Sequence, residues 1–447
     1  MPKVYPFRAV QYARGLGDVS AFVSPPYDVL DAESKRALLA RDARNVVAVD
    51  LPHTPAKELG PPSAYAQAAD LYRAWLADGT LSQRDRPAMF AYRQTFDFAG
   101  KTRLRTGMAC TVEALPFGPR DGGGILPHEQ TFSGPKEDRL ALMKATAAQL
   151  SPIFGLHADE DGAATRLLAA VTGSRPPHLT ARTDDRVLHE VWTIDDDSTI
   201  RAYADALAGE DVFIADGHHR YNTALNYLRF LEENAALPDD HPARRVMIVL
   251  VGMSDPGLVI GPTHRVLGGM KDYTIERFIE AAAGLLDVRP VNNEPAGIET
   301  EMKKVAAEGH ENVFGLIDFA TGLCYAAVPA VPDPLEDQFP DKPRAWRTLD
   351  VAIVQHLIVE QICEPTLNAG KPVKWAFPHS VHEAMDIGRG VETGAGGGAG
   401  FAQLAVILRP TPLDAVRDVS RANELMPQKS TFFYPKLATG LFINPLS

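Results

Sequence analysis

The chain has 447 residues, 45% of them hydrophobic and 23% charged, with a formal net charge of −12. That length exceeds one ordinary hydrophobic core, so two or three domains are expected. The acidic balance argues against a dominant nucleic-acid surface, which depends on Lys and Arg displacing counterions. The start, Met1-Pro-Lys-Val-Tyr-Pro-Phe-Arg8, lacks the apolar core of a signal peptide. The most apolar run, Val246 to Val251, is too short to span a bilayer. Cys110, Cys324 and Cys363 are scattered and form no Cys-x-x-Cys, which speaks against a disulfide scaffold or a cysteine zinc site. The expectation is a cytoplasmic protein with no membrane and no nucleic-acid partner; its oligomeric state stays open.

Taken in order, Tyr5 to Tyr12 reads as a strand, followed by a rigid turn at Ser24-Pro25-Pro26-Tyr27-Asp28. Asp31 is placed to cap a helix reaching Arg41, and Asn45 to Leu51 alternates like a strand. A second helix runs from Ser63 to Asp78, and residues 88–98 and 102–114 form a hairpin around Gly100. A loop then delivers His128 and Glu129 ahead of a helix opened by Pro135, which carries Asp138 and Arg139 in its first turns. Residues 153–156 read as a short strand, and two helices near 161–171 and 197–208 flank a strand pair near 178–194. Beyond residue 268 the pattern is that of a smaller α+β unit: helices at 273–286 and 297–308, strands at 287–291, 312–318 and 323–328, then a helix at 349–362 and a strand at 401–408. The glycine run 394–400 precedes a strand and opens no helix, so it fails the context of a dinucleotide fingerprint.

The densest chemistry lies at Asp211-Val-Phe-Ile-Ala-Asp216-Gly217-His218-His219-Arg220. A short buried strand ends in Asp-Gly, and Tyr221, Leu225, Leu228 and Leu231 then recur at helical spacing. A helix start offers N–H donors to an anion, and Arg220 adds a planar fork suited to phosphate. Set against this, Asp216 can serve simply as a helix cap and Arg220 as a surface ion pair. His218 and His219 are consecutive and point in different directions, a poor metal pair. His128-Glu129 offers a general base or magnesium ligand on a loop, or merely a solvated pair. Thr263-His264-Arg265 follows a strand, and Lys429-Ser430-Thr431 lies in a polar and aromatic tail suited to closing over a site.

Several stretches together resemble the bacterial and archaeal family known as domain of unknown function 1015. They are Pro25-Pro-Tyr-Asp-Val29, His128-Glu129 with Asp138-Arg139, Ala215-Asp-Gly-His-His-Arg-Tyr221, Pro262-Thr-His-Arg265 and Met426-Pro-Gln-Lys-Ser-Thr-Phe-Phe-Tyr-Pro-Lys436. The Asp-Gly-His-His-Arg corner is similar to the signature of the ParB/sulfiredoxin-like superfamily, whose members include CTP-binding partition proteins, sulfiredoxin and free-serine kinases. The resemblance implies an α+β fold: a ParB/sulfiredoxin-like core with large insertions over 1–267, a smaller α+β domain over 268–410, and a tail, 411–447, closing over the core. It also implies a kinase using Mg²⁺ with ATP or ADP to phosphorylate a small molecule such as free L-serine. In that reading Gly217, His219, Arg220 and Arg139 hold phosphates, and Asp216, His218, Glu129 and His128 are catalytic. Asp216 and Glu129 bind Mg²⁺, and Asp28, His264, Arg265, Lys429 and Ser430 contact substrate or support the site. Two other readings stay open: a nucleotide-binding regulator without phosphotransfer, and a metal-dependent hydrolase built on His128, Glu129, Asp216, His218 and His264.

Overall fold

Met89–Phe98 and Lys101–Glu113 form a long antiparallel hairpin, buried where it enters the sheet and exposed towards its tip, in register from Phe90 opposite Ala109 to Phe98 opposite Lys101. Ala99 and Gly100 turn it with φ of 50° and 73°, the left-handed backbone that tight hairpins require. This hairpin is the middle of a mixed sheet in a computed structural model that describes residues 2–13, 15–56, 58–129, 135–291, 294–391 and 400–447. Gln130, Thr131, Ser133 and Gly134, and the glycine run up to Ala399, lie outside the described residues.

Among the described residues, nine strands form that sheet. Their spatial order is Ile125–Pro127, Val212–Asp216, Ile153–His157, Arg245–Gly252, Lys101–Glu113, Met89–Phe98, Leu188–Ile194 and Leu179–Arg182, with Val4–Tyr5 added to Lys101–Glu113. Arg245–Gly252 runs parallel to Ile153–His157 and antiparallel to the hairpin. Its near-continuous apolar sequence fits a strand buried on both faces. One core gathers Met89, Met108, Trp192, Tyr203, Ile214, Tyr221 and Ile248. The second sheet orders Leu286–Val291, Cys324–Pro329, Phe314–Asp318, Ala402–Ile407, Arg265–Gly268 and Lys374–Ala376, over a core that includes Phe278, Phe314, Trp346, Leu357 and Val406.

The chain is thus mixed α+β and divides into two compact units. One comprises Met1–Pro127, Thr131–Leu258 and Pro435–Ser447; the other comprises His128–Gln130 and Val259–Tyr434. The division falls at 258/259 because Val259–Gly261 pairs with Phe432–Tyr434. The last residues, from Pro435, pack with the first unit, Asn444–Pro445 pairing with Ala148–Gln149.

Three elements differ from the sequence pattern. The stretch Tyr5 to Tyr12 is not one strand: Val4–Tyr5 pairs with Lys101–Glu113, and Val10–Tyr12 pairs with Leu81–Gln83 in a separate two-stranded sheet. The Asn45–Leu51 alternation forms a helical turn, Val47–Asp50. The Asn45 amide donates to the Ala21 and Val23 carbonyls while its Oδ1 accepts the Val47 N–H, which starts a turn in place of a strand. The helix expected over 349–362 begins at Asp350 and continues to Leu367 with wide i→i+5 turns over Val354–Leu367. Pro365 lies within it and has no N–H to donate. No helix among the described residues is long and apolar enough to cross a membrane.

Four of the described histidines are buried, His128, His157, His189 and His264. Burial pulls His157 and His264 down to about 4 and His189 down to about 3. A histidine held neutral in the fold is protonated first in the unfolded chain, so stability falls as pH drops from about 6.5 towards these values. At pH 5 each is expected to cost about 1–2 kcal/mol relative to neutral pH. Neither ring nitrogen of His157 has a hydrogen-bond partner among the described residues. His157→Leu should therefore remove part of the acid sensitivity, read from urea unfolding at neutral and mildly acid pH. An unchanged pH dependence in the variant would rule this out.

Candidate functional site

The corner forms because Val212–Asp216 is a buried strand that must hand the chain to a surface helix, His218–Asn234. Gly217 makes the turn at φ 95°, and no side chain caps the helix there. A Cβ on Gly217 would sit 3.1 Å from Arg220 Cζ and Nε, so the arginine folds over a position that only glycine leaves open. The first N–H groups of such a helix have no intrahelical acceptor.

Asp216 does not cap this helix. Its Oδ1 accepts from Lys436 Nζ at 2.8 Å and its Oδ2 from Arg220 Nη2 at 2.5 Å. Arg220 also donates to the Pro152 carbonyl. Burial raises the Asp216 carboxyl, but the Lys436 and Arg220 cations outweigh it, and His218 adds to them. The net result lies well below the usual carboxylate range. An acid held ionised this firmly is a poor general base. Lys436 is itself anchored: Gln94 Nε2 donates to its carbonyl at 2.9 Å, and buried Arg105 donates to the Pro435 carbonyl at 2.5 Å while lying 4.5 Å over the Phe154 ring.

Arg139 is engaged differently. Its Nε and Nη2 face Asp138 Oδ2 at 2.7 and 2.6 Å, and its Nη1 donates to the Asp50 carbonyl at 2.5 Å, with the Asp50 carboxylate 3.6 Å away. Its guanidinium stacks over Tyr27 at 4.0 Å. Tyr65 donates to Asp138 at 2.7 Å, and Ser151 donates to Asp50 at 3.1 Å. Tyr27, Asp50, Arg139, Ser151 and Arg220 line a cavity of about 40 Å³. It has room for water but falls far below the roughly 300–1,000 Å³ of a ligand pocket. Asp28, beside Tyr27, is exposed and within electrostatic reach of Arg220 and Asp50.

The remaining expected residues gather in the second unit. His128 Nε2 lies 2.8 Å from Thr431 Oγ1 and 3.9 Å from Glu129 Oε2. Glu129 Oε1 accepts the Lys429 N–H at 2.6 Å, and Arg265 Nη2 donates to the Lys429 carbonyl at 3.0 Å. His264 is buried, its Nδ1 accepting the Leu408 N–H at 3.1 Å. Ser430 is buried, with its Oγ donating to the Pro427 carbonyl at 2.5 Å.

The expected residues therefore fall into two clusters, one per unit: Asp216, Gly217, His218, His219, Arg220, Arg139 and Asp28 in the first, His128, Glu129, His264, Arg265, Lys429 and Ser430 in the second. Among the described residues no group of three or more His, Cys, Asp or Glu side chains is gathered to hold a metal ion. The sequence reading missed Lys436, Asp50 and Arg105. Lys436 ended a stretch already singled out for its polar density, whereas Asp50 was hidden by the strand-like pattern of its neighbours and Arg105 by its place in a hairpin strand.

The family model described as "Protein of unknown function (DUF1015)" matches residues 4–352. Among solved structures, the chain is similar to a free serine kinase variant in complex with AMP, at 13% identity and a TM-score of 0.33, over 71% of this chain and 90% of that one. It is similar to a conserved hypothetical protein from Pyrococcus furiosus at 15% identity and a TM-score of 0.30, over 71% and 93% of the two chains. A third similarity is to C-terminally truncated SbnI from Staphylococcus aureus, at 9% identity and a TM-score of 0.30, over 72% and 84%. No curated protein matches the chain.

Asp216→Asn leaves Arg220 and Lys436 facing a neutral amide, and should cost about 3 kcal/mol at neutral pH. Because the carboxyl is held low in the fold, its contribution is complete above its unfolded value near 3.9 and is lost as pH falls from there towards the folded value. Parent and variant should accordingly converge in strong acid. Urea unfolding at neutral pH checks the first part, and a variant within about 0.5 kcal/mol of the parent would show that the two cations do not depend on this carboxylate.

Proposed function

We propose that this chain, which belongs to the DUF1015 family of proteins of unknown function, is a nucleotide-dependent small-molecule kinase whose phosphates sit at the Gly217 corner. The observation that carries this reading is a helix start at Gly217, whose N-cap has no side chain, flanked by two cations, Arg220 and Lys436, that share one ionised carboxylate. Phosphoryl transfer needs positioning and charge neutralisation more than covalent chemistry. The helix start supplies N–H donors, and Arg220 supplies a planar fork. Lys436, absent from the sequence assignment, joins Gly217, His219 and Arg220 as a phosphate contact. Arg139 is left out, since Asp138, Asp50 and Tyr27 already engage it.

Asp216 orients the two cations and is the carboxylate proposed to contribute to Mg²⁺ brought in with ATP or ADP. Its ionised state suits a hard cation, which commonly takes one or two carboxylates together with substrate phosphates. Bound Mg²⁺ would neutralise phosphate charge during transfer. His218 is the proposed acid–base group of the corner, because Asp216 is too weak a base. A small hydroxyl amino acid such as L-serine is the proposed acceptor, on the resemblance of the Asp-Gly-His-His-Arg stretch to free-serine kinases. The protein is proposed to act in the cytoplasm.

The firmly ionised Asp216 also favours a second reading, a nucleotide-binding regulator without transfer, because that reading needs no general base at the corner. One experiment separates them. Thermal shift with ATP, ADP and AMP, with and without Mg²⁺, is followed by product analysis with L-serine and other hydroxyl amino acids. Under the kinase reading ATP or ADP stabilises the protein and an O-phosphoamino acid forms. Gly217→Ala should weaken nucleotide binding about tenfold or more, through φ 95° and the crowding of Arg220. Stabilisation without product supports the regulator, and no response to any nucleotide sinks both.

A further inference from the structure

A pocket of about 390 Å³ opens in the first unit and shares no lining residue with the Gly217 corner or with the cavity beside Arg139. Its size falls in the range of small-molecule sites. Pro6, Pro87, Pro242 and Pro445 form part of the wall, and buried Phe7 adds to it. Proline fixes φ, so this wall is preformed and a ligand entering it orders little backbone.

Three charged side chains line the same pocket: Arg8, Arg245 and Asp240. Arg8 donates through Nε to the Arg84 carbonyl at 3.1 Å, and the Arg245 guanidinium lies 3.9 Å over the Tyr5 ring. Asp240 rides on a turn fixed by Arg244, which donates to the Pro238 carbonyl at 3.0 Å and to Glu232 at 2.8 Å. None of the three lining charges makes an ion pair among the described residues, with one another or with a further group. Glu113 stands opposite Arg245 in the β-ladder, and Ser447 also lines the pocket, yet neither pairs with an arginine. Two cations in one concavity favour an anion between them, whereas Asp240 opposes a ligand that is only anionic. Opposite charges that face one cavity without meeting leave room for a molecule that carries both.

We propose that this pocket binds a small zwitterion, of amino-acid to dipeptide size, its carboxylate met by Arg8 and Arg245 and its ammonium by Asp240. A guanidinium offers a planar fork to a carboxylate, and stacking on Tyr5 holds the Arg245 fork in place. The site lies wholly within the first unit, uses none of the phosphate contacts proposed at Gly217, and stands or falls separately from the kinase reading.

The test uses the full chain and titrates β-alanine, L-alanyl-L-alanine, acetate and methylammonium in separate arms by calorimetry. None of these carries an alcohol hydroxyl, so none is an acceptor under the kinase reading. The parent should bind at least one zwitterion at about 1 mM or tighter, and each single-charge ion about tenfold more weakly or worse. Asp240→Asn, at an exposed position, should keep the Tm and weaken the zwitterion about tenfold, the size of one charge-assisted contact, without weakening acetate. Arg245→Met, which keeps an apolar side chain over Tyr5, should weaken zwitterion and acetate alike; should it also lower the Tm, Asp240→Asn still decides. Arg201→Ala, which removes an exposed arginine of the same unit, should change nothing. The proposal is overturned if neither zwitterion binds, if acetate binds as tightly as the zwitterions, or if Asp240→Asn binds like the parent.

Discussion

One carboxylate shared by two cations holds the candidate site together. Lys436 meets Asp216 across a separation of 220 residues, while Arg220 reaches back from the first turn of the same corner. Each of the three groups is largely withdrawn from water, and the two cations keep the Asp216 carboxylate ionised against its burial. The same contacts place the C-terminal residues of the first unit, because the Pro435 and Lys436 carbonyls are held by Arg105 and Gln94 from the hairpin. Corner, hairpin and the Pro435–Lys436 segment are therefore positioned by one connected set of hydrogen bonds, most of them charge-assisted.

The contrast with Arg139 is instructive. That guanidinium faces two carboxylates, Asp50 and Asp138, and an aromatic ring, and Tyr65 and Ser151 satisfy the remaining acceptors. Buried networks of this kind rigidify a fold, even though Arg139 Nη2 makes no hydrogen bond of good geometry among the described residues. Here the network ties the helical turn at Asp50 and the Tyr27 turn to the helix that carries Arg139. Arginines that look equivalent in a sequence motif therefore differ in what they have left to offer a ligand.

Where local physics decides structure, the sequence was readable. Asp31 caps its helix through the Ser34 N–H. The hairpin follows from two strand-forming runs around Gly100, and the Gly217 corner follows from an apolar strand meeting a helical stripe. The failures have physical causes. Asn45 overrode a strand-like pattern by bonding its neighbours' backbones, and Pro365 sits in a helix whose wide turns no periodicity announced. Of the site, the corner and the Lys429 stretch were visible as dense chemistry. The pairing of Asp216 with Lys436 was not, because spacing along the chain carries no information about an ion pair closed by tertiary structure.

Charge counting then decides where an anion is most welcome in the first unit. Around Arg139 one cation faces two carboxylates, so an incoming phosphate would meet a local excess of negative charge. At the corner two cations share one carboxylate, and the helix dipole adds positive potential at Gly217. Asp28 reaches Arg220 electrostatically but stands exposed, where solvent and salt screen it. Under the kinase reading a phosphate at the corner adds to Asp216 and does not displace it, because Arg220 and Lys436 already hold that carboxylate by separate oxygens.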